Sequence, residues 1–183
     1  MNSSSKNINH PPSILVHSKK IRNRLEKLAQ QINKDYEGQE LDLVCLSNSA
    51  MVFTTDLMRL IQVPVRLHLL AFDSYTPTPK SGEVRLTLDL VEPIEGRNVL
   101  VVEGMIISGR TPLYIMNLLR LRQPASLELC AIGKKPAELA VHLSIKYCMF
   151  EFDAEWVTGY GIGHGAEKVS ADLLDMSKKS SYV

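Results

Sequence analysis

The chain has little net charge, few cysteines and no long apolar run, and each shortage removes a class of protein. Lys and Arg total 21 against 20 Asp and Glu, leaving a formal net charge of +1. With no long Lys/Arg stripe, nothing electrostatic argues for a nucleic-acid partner. The three cysteines, Cys45, Cys130 and Cys148, are odd in number and lack CxxC or His-bearing spacing. Each lies in an apolar strand-like run, as buried reduced thiols do. No apolar stretch approaches a membrane span, and the N-terminus is polar rather than a signal peptide. These features point to a cytoplasmic protein with no membrane partner. What remains is ordinary: 183 residues, 45% apolar and 22% charged, suit one compact domain with a sizeable core.

Along the chain, helical and strand periods alternate. Residues 1–13, with Ser3-Ser4-Ser5 and Pro11-Pro12, have the composition of a flexible leader. Ile21, Leu25, Leu28 and Ile32 predict an amphipathic helix over 18–36 that stops before Gly38. Leu41 to Leu46 is a short buried strand, and Val52, Phe53, Leu57, Leu60 and Ile61 mark a second helix. Val65 to Phe72 is a further strand, followed by a polar segment, 74–82, with Pro77 and Pro79. Val84, Leu86, Leu88 and Leu90 alternate with Arg85, Thr87 and Asp89, predicting a strand with one wet face. A strand over 98–104, a helix over 111–122 and strands near 126–132 and 143–152 complete the pattern. This order predicts an α/β fold, a single domain whose mostly parallel central sheet is flanked by helices. Ligands of such sheets sit at the carboxyl ends of the strands.

One such end stands out. Val99, Leu100, Val101 and Val102 are apolar without alternation, as in a strand covered on both faces. The run ends in Glu103, and Ser108-Gly109-Arg110-Thr111 then offers backbone amides, two hydroxyls and a guanidinium within four residues. Pro112 suits the first turn of a helix, where its missing donor costs nothing. Leu113, Met116 and Leu119 are expected on that helix's buried face. A phosphate at its start would meet free amides and the positive end of the helix dipole. An ordinary strand-to-helix turn capped by Ser or Thr has the same outline.

Several motifs in order resemble the type I phosphoribosyltransferases, within them the hypoxanthine-guanine branch. They are Ser74-Tyr75 before the polar segment, Gly82 to Arg85 as its return strand, and Gly96 to Glu103 followed by Ser108 to Thr111. Lys135-Pro136, Phe150-Glu151 and the run from Trp156 to Gly161 follow at the family's spacing. The resemblance covers residues 14–168 and leaves 169–183 as a divergent tail. It implies that family's fold, with a small hood built from the chain ends, and transfer of a phosphoribosyl group from phosphoribosyl pyrophosphate to a 6-oxopurine, with Mg2+. The product would be IMP or GMP. Ser108, Gly109, Arg110 and Thr111 would then hold the 5′-phosphate. Lys135 would meet the purine O6 and N7, Trp156 would stack on the base and the Val157 backbone would meet its edge. Ser74 and Tyr75 would belong to the mobile loop, Asn48 and Ser49 to the pyrophosphate loop. Glu103 would be the catalytic and metal-binding acid. The family also implies a homodimer or homotetramer.

The chain departs from the family pattern at five places, all near the reacting groups. Gly104 stands for the second of two adjacent acids, and Ile107 for an Asp near the purine N7. Gly163 or His164 stands for a late Asp, and an Arg expected just after it is absent. Ser47-Asn48-Ser49 replaces Leu-Lys-Gly. A positioned acid or base is worth ~10²–10⁴ in rate. The expectation is therefore a salvage enzyme of reduced activity. The competing expectation is an impaired relative that binds purine nucleotides in a sensing or regulatory role.

Overall fold

The structure, a computed structural model, describes residues 12–73, 85–163 and 166–177. The leader up to residue 11, Ser74 and Tyr75, the return strand before Arg85, His164 and the tail from 178 lie outside the described residues. The elements are β1 (Ser13–Val16), α1 (Ser18–Asp35), β2 (Leu41–Leu46), α2 (Met51–Met58), β3 (Val65–Asp73), β4 (Arg85–Leu88) and β5 (Asn98–Ile106). They continue with α3 (Arg110–Arg120), β6 (Ser126–Lys134), β7 (Tyr147–Glu151), β8 (Val157–Thr158) and β9 (Leu173–Asp175).

Six strands form the main sheet in the order β4-β3-β2-β5-β6-β7, all parallel except β4. β1, β9 and β8 make a separate antiparallel sheet from the two chain ends, the expected hood. Every residue of β2 is buried, as its unalternating sequence requires of a strand covered on both faces. Its Leu41 and Leu43 pack with Ile21, Leu25, Phe53 and Leu57 under α1 and α2. Val44 and Leu46 pack on the other side with Ile115, Met116 and Leu119 of α3. From β2 the chain crosses by α2 to β3 on one side, and from β5 by α3 to β6 on the other. The strand order therefore reverses between β2 and β5, and a crevice opens above their carboxyl ends, where open α/β sheets bind ligands.

Some boundaries differ from expectation, each for a local reason. β5 and β6 run two residues further than predicted, to Ile106 and Lys134, because they continue to pair with each other past the end of β2. β7 is shorter: Leu143 and Ile145 pack against the second core from an irregular segment rather than from a strand. α2 ends at Met58, so Leu60 and Ile61 join the first core from beyond the helix. On β4 the wet-dry alternation is incomplete. Leu86 packs on the core while Leu88 is exposed, and a bulge opposite Ala71 and Phe72 shifts the register between them. The buried face of α3 is Pro112, Ile115, Met116 and Leu119, with Leu113 only half-buried. Cys45 and Cys130 are buried free thiols; Cys148 is half-buried. Among the described residues, no helix is long and apolar enough to cross a membrane.

Candidate active site

The crevice at the strand reversal is a cleft of about 390 Å³. The β2–α2 turn contributes Ser47 and Ser49, β5 contributes Glu103, and the β5–α3 loop contributes Ile107, Ser108 and Gly109. Thr111 and Pro112, in the first turn of α3, close that side. Another cavity, about 360 Å³, lies between α1 and α2. It lies away from the carboxyl ends of the parallel strands, where open α/β sheets bind ligands, so the chemistry belongs to the crevice.

The β5–α3 loop folds as its sequence suggests. Gly109 takes φ +75° at the residue before α3, a left-handed conformation that glycine adopts without strain. A Cβ there would also stand 3.1 Å from Val141 Cγ2 and 3.3 Å from Leu139 Cδ2. Gly109 itself offers no side-chain cap; the Arg110 N–H donates to Ser108 Oγ at 3.4 Å, Pro112 has no N–H, and the Thr111 N–H is left to meet an anion. Ala140 N–H donates to the Ser108 carbonyl at 3.0 Å, holding the loop from below. Ser108, Gly109 and Thr111 line the cleft, whereas Arg110 is exposed at its margin.

Glu103 is 6% exposed, and two donors converge on one of its oxygens. The Gly104 N–H reaches Oε1 at 2.7 Å and the Ser49 hydroxyl reaches it at 3.2 Å. Burial raises this carboxyl from its ordinary range to about 7, against the lowering effect of those two hydrogen bonds. Among the described residues, no three metal-capable side chains gather anywhere. Among the described residues Glu103 is the single acid lining the cleft, so these residues fit a hard cation only if it brings further oxygen ligands with it. Of the remaining pair in the β2–α2 turn, Ser49 lines the cleft and Asn48 points to solvent.

Lys135 and Trp156 lie together beside this cleft rather than within its lining. Lys135 sits at the end of β6, its N–H donating to the Ile106 carbonyl at 2.9 Å. Its side chain is buried, with Nζ donating to Glu138 Oε1 at 2.9 Å and to the Glu155 carbonyl at 2.6 Å. That second bond ties Lys135 to the residue preceding Trp156. Trp156 is 58% exposed, far more than a core anchor would be, and Val157 is buried at the start of β8. Sequence reasoning missed Glu138 and Glu155 as the groups that hold the lysine. The three-residue spacing of Lys135 and Glu138 was the available signal. It also missed Phe72 and Met105 in the cleft wall, which carry no motif.

One departure has a visible steric cause. Gly163 has φ +88°, and a Cβ there would lie 2.5 Å from Thr158 Oγ1, so no acid fits at that position. Ile107 is 45% exposed and turns an apolar side chain to the cleft.

Comparison with known proteins agrees with this architecture. The family model for the phosphoribosyl transferase domain matches residues 13–163. The hypoxanthine-guanine phosphoribosyltransferase of Mycobacterium avium is 35% identical over 159 residues, covering 83% of this chain and 78% of that protein. The hypoxanthine phosphoribosyltransferase of Haemophilus influenzae is 33% identical, covering 85% of this chain and 89% of that one. A crystal structure of a hypoxanthine-guanine phosphoribosyltransferase from Bacillus anthracis superposes with a TM-score of 0.83 at 29% identity, over 89% of this chain and 96% of that chain. A sheet that reverses above an acid and an amide loop, a hood from the chain ends and this degree of likeness have one reading: the chain belongs to the phosphoribosyl transferase family, in its hypoxanthine-guanine branch.

Proposed function

We propose that the protein is a purine-salvage transferase that moves a phosphoribosyl group from phosphoribosyl pyrophosphate to hypoxanthine or guanine, at a reduced rate. The observation that carries this reading is the crevice itself, where the start of α3 and an acid line one cleft. In the reaction, purine N9 forms a bond to C1′ of the ribose. The bond from C1′ to pyrophosphate oxygen breaks, pyrophosphate departs with that electron pair, and N9 loses its proton. The amides and hydroxyls of Ser108, Gly109 and Thr111 hold the 5′-phosphate, with Arg110 adding charge at the rim. Trp156, already exposed, stacks on the base, and the Val157 backbone meets its edge. Lys135 donates to the purine oxygen by sharing the ammonium that Glu138 and the Glu155 carbonyl now hold.

Glu103 orients the donor ribose and offers a carboxylate to Mg2+. Magnesium, when bound, would neutralise charge on the departing pyrophosphate. Ile107 can neither take the N9 proton nor bond to N7, which is the physical reason for a reduced rate. We place the enzyme in the cytoplasm as a homodimer or homotetramer. The exposed Met51, Val52 and Met58 of α2 and Leu67 and Leu69 of β3 favour self-association.

A steady-state assay with hypoxanthine or guanine, phosphoribosyl pyrophosphate and Mg2+ tests the reading. We expect turnover about 10²–10⁴ below that of an enzyme with a positioned base. Ile107→Asp should raise it by at least tenfold, and no gain would show that the missing base does not limit the reaction. Binding of GMP or IMP without turnover would favour the second reading, a nucleotide-binding relative with a sensing or regulatory role. No calorimetric binding of either nucleotide would sink both.

A further inference from the structure

Gly104 poses a question that backbone conformation does not answer. Unlike the glycines at 109, 161 and 163, it has no positive φ, and it lies within β5. Its need for glycine is therefore one of space. A Cβ at 104 would stand 2.8 Å from Ser49 Oγ, 2.9 Å from the Ser49 carbonyl oxygen and 3.0 Å from the Ser49 carbonyl carbon. Two of those three atoms are main chain and cannot swing aside as the tip of a flexible side chain could.

The turn that carries Ser49 is held on every side. Ser47 takes φ +64°, its N–H donates to the Leu70 carbonyl at 3.1 Å, and its own carbonyl accepts from Ala50 N–H at 3.4 Å. Gly161, in the turn after β8, also comes close: a Cβ there would meet Val52 Cγ2 at 3.1 Å and the Ser49 carbonyl oxygen at 3.4 Å. The Ser49 carbonyl oxygen is thus approached by Gly104 of β5 and by Gly161, a turn residue beyond β8. Its hydroxyl proton goes to Glu103 Oε1, so at the 3.0 Å contact between the two serine hydroxyls, Ser47 must be the donor. The result is a directed chain from Ser47 to Ser49 to Glu103.

We propose that Ser49 and Gly104 act as one unit in which Ser49 is the positioning residue for Glu103. Ser49 fills the space that a side chain at 104 would take, and its hydroxyl fixes the single remaining carboxyl. The role in catalysis rests on the function proposed above; the packing of the pair does not. Restoring an acid at 104 alone would not rebuild a two-acid site, because the turn at Ser49 already occupies that volume.

Two measurements separate these parts. In a thermal-unfolding cycle without ligand, Gly104→Ala should lower Tm by about 3–10 °C, as overpacking does in a chain of this size. In a Ser49→Gly background, where the nearest contact is gone and the turn is freer, that loss should shrink by at least half. Equal losses in both backgrounds, or none in either, overturn the pairing. In calorimetry, Ser49→Ala should weaken binding of phosphoribosyl pyrophosphate by roughly tenfold, one hydrogen bond to a charged group. In a Glu103→Gln background the same change should have little effect. A loss of equal size there would show that Ser49 does not act through Glu103. If the wild-type chain binds neither the donor nor GMP, the functional reading and the positioning role fall together, while the unfolding cycle still decides the packing.

Discussion

Glu103 carries the clearest consequence at the scale of one side chain. Its carboxyl titrates at about 7 because burial outweighs the Gly104 N–H and the Ser49 hydroxyl. In the unfolded chain it would titrate near its ordinary value of 4.5. Between these values the folded protein holds a proton that the unfolded protein has released, so stability falls as pH rises. For the metal-free, ligand-free protein the decline should amount to roughly 3 kcal/mol across that window, then level off. Urea unfolding at a series of pH values checks this, and Glu103→Gln should remove the slope. A slope that survives in the variant would place the titrating group elsewhere. Trp156 makes the opposite case: it is exposed, so its value to the protein lies in what it can cover rather than in the core.

At the scale of an element, the start of α3 joins conformation to binding. Gly109 meets both a positive φ and close contact with Val141, Leu139 and Leu143. Gly109→Ala should therefore destabilise the protein by more than the ordinary ~1 kcal/mol of such a change. It should weaken GMP binding by a larger factor, because the leading amides of α3 would tilt away from the phosphate. Calorimetry beside thermal unfolding separates the two effects. This element was legible beforehand: Ser-Gly-Arg-Thr-Pro after an apolar run states its geometry through local chemistry. So was α1, whose Ile21, Leu25, Leu28 and Ile32 all came out buried. Contacts between distant residues were not legible. Nothing in Ser47-Asn48-Ser49 announces the positive φ of Ser47 or the approach of its turn to Gly104. Leu143 and Ile145 suggested a longer β7 because periodicity reports burial, and an irregular segment can bury the same side chains. Nothing in Lys135-Pro136 announces that the chain returns at Glu155 to hold the lysine.

At the scale of the molecule, the two ends of the sheet have different tasks. Opposite the cleft, at the amino ends of the strands, Asp42 is fully buried. Arg97 Nε contacts its two oxygens at 2.8 and 2.7 Å, and His68 Nε2 lies 3.1 Å from Oδ2. Arg97→Ala would leave that carboxylate buried beside a histidine alone. It should cost about 3–5 kcal/mol of stability. Guanidinium unfolding gives the stability, and the GMP affinity of the protein that remains folded should be unchanged. A loss of affinity in the folded variant would mean that the two ends are coupled through the strands.

The reversal of strand order has an effect on endurance as well as on recognition. The wall bearing Ser47 and Ser49 and the wall bearing Ser108 and Thr111 meet where β2 runs alongside β5, with crossovers leading away in opposite directions. A nucleotide gripped by both walls is a rivet through that seam. Occupancy should slow the parting of the two halves, so a cell rich in purine nucleotide would keep more of this protein intact during heat or protease exposure than a starved one.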